Sequence, residues 1–118
     1  MELARVAASL EDGLVIARLS GEIDLTNAAE IADRLFRAVP HTAQGVVIDL
    51  SDLRYIDSRG VYVLLQVLER LGIRQQEARL VLPDESPLFR LFTILSIDKS
   101  PGLHRTVQQA AERIRTQS

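Results

Sequence analysis

The chain of 118 residues contains no cysteine, which removes disulfide frameworks, thiolate chemistry and cysteine-based metal sites together. No apolar run approaches the ~20 residues that a bilayer-spanning helix needs, so membrane insertion is not expected. The stretch Met1-Glu2-Leu3-Ala4-Arg5-Val6 has no basic segment followed by an apolar core and a small-residue cleavage site. No secretory signal is read there, and a cytoplasmic location is the default expectation. An excess of one charge is missing too: 14 Lys and Arg stand against 16 Asp and Glu, for a net charge of −2. The basic side chains are scattered, so attraction to a phosphate backbone is weak and nucleic acid is not an expected partner.

Motifs that carry chemistry are also absent. There is no glycine-rich phosphate loop ending in Lys-Ser or Lys-Thr, no dinucleotide fingerprint and no Gly-x-Ser-x-Gly elbow. The two histidines, His41 and His104, fall in segments that read as loops or helix starts, with no nucleophile nearby and no metal-ligand spacing. The expectation is a protein without metal or cofactor that is not an enzyme. Hydrophobic residues at 47% and charged residues at 25% are ordinary globular values. One domain over residues 1–118 is long enough to withdraw roughly two-thirds of its unfolded surface from water.

What is present alternates. Residues 3–10 and 14–20 read as strands joined at Glu11-Asp12-Gly13, a hairpin signal. Gly21 to Asp24 ends the second, and Asp24, Thr26 or Asn27 offers an N-cap, with Glu30 completing a capping box on Asn27. Ala28, Ile31, Ala32, Leu35, Phe36 and Val39 recur at helical spacing up to Pro40. Val46 to Leu50 is an unbroken apolar run with one acid, as expected of a central strand covered on both faces. A helix follows from Ser58 to Gly72, a strand over residues 79–83, and a helix capped by Ser86 with Pro87 in its first position. Residues 96–99 suggest a brief edge strand, and Thr106 with Gln109 opens a final amphipathic helix. Such an order predicts an α/β single domain: a mixed sheet of four to five strands flanked by about four helices, with consecutive strands side by side.

The stretch Val46 to Leu65 organises the rest, because it passes from a buried strand through a loop to a helix start that presents one hydroxyl. Asp49 and Asp52 resemble a carboxylate pair, but a strand end and ordinary Ser-Asp turn chemistry account for them. Ser58 is different. Asp57 can cap the helix, Ser58 then occupies the first turn, and Gly60 leaves the backbone there uncrowded. Ser58 reads either as a capping residue alone or as a place where a charge is added and removed.

Leu19-Ser20-Gly21-Glu22-Ile23-Asp24-Leu25-Thr26, followed by Val47 to Leu53 and by Tyr55-Ile56-Asp57-Ser58-Arg59-Gly60, resembles the STAS domain family, and within it the small bacterial anti-sigma factor antagonists. The resemblance implies that Ser58 is phosphorylated by an anti-sigma factor that is a serine kinase and restored by a serine phosphatase. The unphosphorylated form would bind the anti-sigma factor and release the sigma factor. It also implies a partner-binding face made from Glu22, Asp24, Thr26, Asp57, Arg59, Gly60 and Tyr62. Many family members carry Ser or Thr where Arg59 stands and a small residue where Tyr62 stands, so both bear on partner choice. STAS domains also serve as constitutive adaptors in transporter complexes or stress-signalling assemblies, which is the alternative reading.

Overall fold

Two apolar patterns set the centre of the molecule: the alternation that begins at Leu14 and the continuous run from Val46. In the computed structural model, residues 3–116 are described, so Met1, Glu2 and the last two residues of the expected polar end, Gln117 and Ser118, lie outside the described residues. Strands β1 (Ala4–Glu11) and β2 (Leu14–Ile23) form an antiparallel hairpin. Its turn places Asp12 at φ 52° and Gly13 at φ 83°, the two left-handed positions that match the twist of a two-residue hairpin. Strands β3 (Gly45–Ile56), β4 (Glu77–Val81) and β5 (Leu103–His104) join in parallel, giving the order β1-β2-β3-β4-β5. The crossovers carry α1 (Ala28–Ala38), α2 (Ser58–Ile73), the short α3 (Phe89–Ile94) and α4 (Val107–Thr116).

The sheet is covered on both faces, as expected of its parallel part. Val15, Ala17, Leu19, Ile23, Val46, Ile48 and Leu50 point into a core shared with Ile31 and Leu35 of α1 and with Val61, Leu64, Val67 and Leu71 of α2. On the other face Leu14, Ile16, Val47 and Val81 pack under Ala110, Ala111 and Ile114 of α4. Alternation along β2 and β3 therefore feeds two separate cores, which fixes the strand register: a one-residue slip would exchange them.

Several sequence expectations need correction. β2 does not end at Gly21 but runs to Ile23, and β3 does not end at Leu50 but runs to Ile56. Asp49 is consequently inside a strand rather than at its end; it is buried, lies 3.7 Å from Arg18 of β2, and accepts from the Ser51 amide and hydroxyl. Gly72 is not the stop of α2. The left-handed residue is Gln75, with the Gln75 amide on the Gly72 carbonyl and the Gln76 amide on the Leu71 carbonyl, the paired bonds of a Schellman cap. Residues 96–99 form no strand, because Ser96 at φ 63° closes α3 in the same way; the edge strand is β5. Nor does Ser86 cap α3 with Pro87 in its first turn: α3 starts at Phe89 after Leu88, and Ser86 Oγ accepts the Leu88 amide in the turn before it. Thr106 Oγ1 does accept from the Gln109 amide.

Candidate functional site

The site lies where β2 and β3 both end. β3 finishes at Ile56, and Asp57 turns the chain into α2. Its backbone is extended, and its Oδ1 accepts the Gly60 amide at 2.8 Å, as an N-cap side chain should. The same carboxylate reaches sideways. Oδ2 accepts the Leu25 amide at 3.3 Å, while the Asp57 amide donates to the Ile23 carbonyl. One residue thus ties the start of α2 to the loop that follows β2.

That loop is held from within. The Asp24 carboxylate accepts the Thr26 amide at 2.8 Å and the Thr26 hydroxyl, and these bonds hold the Asp24 carboxyl below its ordinary value. Asn27 does not make the expected capping box with Glu30. Its side chain turns back instead, with Oδ1 accepting the Asp24 amide and Nδ2 donating to the Glu22 carbonyl. The result is a fixed loop rather than a capped helix end.

Ser58 is the first residue of α2 and is exposed. Among the described residues its hydroxyl has no hydrogen-bond partner. The amides of Ser58 and Arg59 precede the first intrahelical bond, which the Val61 amide makes to the Asp57 carbonyl, so two donors stay open at the positive end of the helix. Tyr62 follows one turn later on the same side of the helix. It is 54% exposed, with the Arg59 guanidinium 6.0 Å from its ring centre, at the outer limit of a cation–π contact.

Gly60, expected on the partner-binding face, is buried and offers no surface of its own. A Cβ there would stand 2.7 Å from Ile56 Cγ1 and 3.0 Å from Ile23 Cγ2. The missing side chain lets α2 start directly on the strand ends. Glu22 is exposed but lies on the opposite side of β2 from the buried Ile23, 3.9 Å from Arg54 of β3. The structure therefore brings Asp24, Thr26, Asp57, Ser58, Arg59 and Tyr62 together at one end of the sheet, and leaves Glu22 at the margin.

Leu25 was not singled out by the sequence. It is 69% exposed at the loop tip, beside Asp57. An apolar residue between Asp24 and Thr26, outside any helical or strand period, was the signal available. Leu25, held beside Asp57, and Tyr62, one turn after Ser58, are both exposed apolar side chains at this end of the sheet.

A family model described as the STAS domain matches residues 5–110. The chain is 37% identical over 90 residues to a Bordetella bronchiseptica protein provisionally named anti-sigma factor antagonist BtrV, covering 73% of this chain and 76% of that one. It is 27% identical over 110 residues to the anti-sigma-F factor antagonist RsfB of Mycobacterium tuberculosis, covering 93% and 88%. A solved anti-sigma factor antagonist from Mycobacterium paratuberculosis superposes with a TM-score of 0.80 at 25% identity, over 95% of this chain and 94% of that one.

Proposed function

The chain belongs to the STAS domain family, and from that membership we propose that it is an anti-sigma factor antagonist whose docking is switched by phosphorylation of Ser58. The observation that carries the switch is the Ser58 hydroxyl: exposed, unpartnered among the described residues, and set in the first turn of α2, one turn before the exposed Tyr62 and next to Asp57, which holds the Leu25 amide.

In the unmodified state the exposed apolar side chains and the polar tip form one surface. Leu25 and Tyr62 contribute apolar area to a partner, while Thr26 and Ser58 keep it from being purely hydrophobic. An anti-sigma factor with kinase activity transfers the γ-phosphoryl group of ATP to Ser58 Oγ; the Oγ–P bond forms, the bond to the β-phosphate oxygen breaks, and ADP leaves. The chain is the substrate of this step and not its catalyst. A phosphatase reverses it by hydrolysis.

The added group brings about −1.5 to −2 charges. The open amides of Ser58 and Arg59 and the helix dipole stabilise a dianion there by roughly 0.3–1 kcal/mol at an exposed site. The scaffold is therefore retained. Docking is not, because the dianion must be desolvated against Leu25 and Tyr62 and stands beside the Asp57 and Asp24 carboxylates. Arg59 offers a partial counter-charge and sets which partner surfaces are tolerated.

The test uses a purified anti-sigma factor kinase that binds this chain, with ATP. Intact mass should show one phosphoryl group on the wild type and none on Ser58→Ala, which still binds. Ser58→Asp should weaken the complex more than about tenfold, or 1.4 kcal/mol. Labelling of Ser58→Ala, or binding by Ser58→Asp that matches the wild type, would overturn the proposal; a fixed adaptor would give the second result.

A further inference from the structure

We propose that this chain forms a two-fold dimer by antiparallel pairing of β1 with β1 of a second copy, joining two five-stranded sheets edge to edge. Among the described residues β1 has one ladder neighbour, β2, and no strand pairs with its other edge. Eight residues long, it contains no proline, no lysine and no bulge, the devices by which an edge strand is usually protected. Its two charges, Arg5 and Glu11, are opposite in sign and can attract across a pair of copies rather than repel.

The hairpin fixes which backbone groups face outward. The Glu22 amide donates to the Leu3 carbonyl, and Glu11 stands opposite Leu14 across a two-residue turn. Odd-numbered residues of β1 therefore bond to β2, and Ala4, Val6, Ala8 and Leu10 turn their amides and carbonyls to the open edge. In a symmetric antiparallel pair these even positions must meet even positions, which excludes every register that pairs odd with even.

Among the allowed registers, the one centred on Ala8 matches the charges of the strand best. It sets Val6 against the partner copy's position 10 and Ala8 against its own equivalent, so three hydrogen-bonded pairs give about six backbone bonds. The intervening pairs oppose Arg5 to the second copy's Glu11 and Ala7 to its Ser9, so that opposite charges face each other twice. The register centred on Ala7 forms one more hydrogen-bonded pair but sets Arg5 against the second copy's Ser9 and loses that charge match. Backbone geometry limits the choice to registers that pair even with even, and charge selects among them. Leu10, 64% exposed at the open edge of the α1 face, comes to lie beside the second copy's half-buried Val6. Small side chains at Ala7 and Ala8 let the strands approach at the axis.

The dimer leaves the Ser58 site open. β1 runs antiparallel to its copy, so the two Ser58 faces sit at opposite ends of the joined sheet and each remains free to dock. The inference is independent of the proposed switch, and its test does not involve Ser58.

Sedimentation velocity and light scattering on the full chain, from micromolar to millimolar concentration, should show conversion from the 13.1 kDa chain to twice that mass. Glu11→Arg replaces two attractions by two repulsions and should raise the dimer Kd by about tenfold or more. Adding Arg5→Glu to that variant restores opposite charges across the axis and should recover the dimer. Ala8→Pro removes an outward amide without touching the β2 ladder and should abolish the dimer, with an unchanged far-ultraviolet circular dichroism spectrum as the control for folding. A chain that stays monomeric at millimolar concentration, or a dimer indifferent to Glu11→Arg and not recovered by the charge exchange, overturns the proposal.

Discussion

Asp57 offers the sharpest test of how the site is held, because its two oxygens do different work. Oδ1 caps α2 through the Gly60 amide at 2.8 Å, and Oδ2 takes the Leu25 amide at 3.3 Å. Asp57→Ala removes both. Loss of a cap costs about 0.5–2 kcal/mol, and a long, exposed cross-loop bond adds roughly 0.5 kcal/mol, so the total should fall near 2 kcal/mol. Asp57→Asn keeps the capping oxygen, but its amide nitrogen cannot accept from Leu25, and the charge at the helix start is gone, worth about 0.3–1 kcal/mol. The expected loss for Asn is about half that for Ala. Urea unfolding reads the difference. With a slope of about 1–3 kcal/mol/M, Asp57→Ala should lower the midpoint by about 1 M and Asp57→Asn by about 0.5 M, with the slope unchanged. Hydrogen exchange adds residue detail: the Leu25 amide should exchange faster in both variants, the Gly60 amide only in Ala. Equal losses for the two variants would refute the division of labour, and an Ala variant within ~0.3 kcal/mol of wild type would refute the cap itself.

Two further outcomes follow from the packing. Gly60→Ala places a methyl group 2.7 Å from Ile56 Cγ1; overpacking costs about 1–3 kcal/mol against a helix-propensity gain of at most ~1 kcal/mol. A net loss near 1 kcal/mol is expected in the same urea assay, and a variant more stable than wild type would show that the close approach is not needed. His104 has its pKa lowered, first by burial and then by the Arg79, Arg113 and Arg105 guanidinium groups. The unfolded chain therefore takes up this proton at a higher pH than the folded one, so stability should rise with pH up to the ordinary histidine value and level off above it. His104→Gln should flatten that slope below the ordinary histidine value of about 6.5, measured as the unfolding midpoint, and an unchanged slope would assign it to other groups.

The sheet order and the core under α1 and α2 were readable from the chain because the helical stripes at 28–39 and 61–71 were clean. The second core was not, because residues 14–19 read as a strand covered mostly on one side, whereas Leu14 and Ile16 are buried beneath α4. The lengths of β2 and β3 were not readable either. Across their second halves the register shifts twice, between Arg18 and Ser20 and between Gly21 and Glu22, each time with an extra residue on β3. The buried positions there are Leu50, Leu53 and Ile56, spaced by three instead of two, and a strand that breaks its own period reads as a loop. β5 failed for another reason. Two residues long, it exists because the Leu80 and Leu82 amides reach the Gly102 and His104 carbonyls, contacts set by tertiary placement and carrying no local signal.

Those irregularities place the site. Each extra residue bends β3 and tightens its local twist before it hands over to Asp57, and both strand ends then meet at a single carboxylate. The sequence displayed the parts that obey local rules: the capping acid, the first-turn serine and the uncrowded glycine. It concealed the parts that depend on two loops meeting, namely the side-on bond from Leu25 to Asp57 and the refusal of Asn27 to cap its own helix. Asn27 illustrates the competition. As a cap it would satisfy one amide of α1; turned back, it satisfies the Asp24 amide and the Glu22 carbonyl together. Two bonds that rigidify the loop outweigh one that extends a helix, and the loop so fixed is the one that lifts Leu25 into solvent. The exposure of an apolar side chain beside a hydroxyl is thus a consequence of backbone groups being satisfied beneath it. A surface held that firmly has little to gain by rearranging, so under the proposed switch a charge placed on Ser58 would act on a partner's approach rather than on the fold.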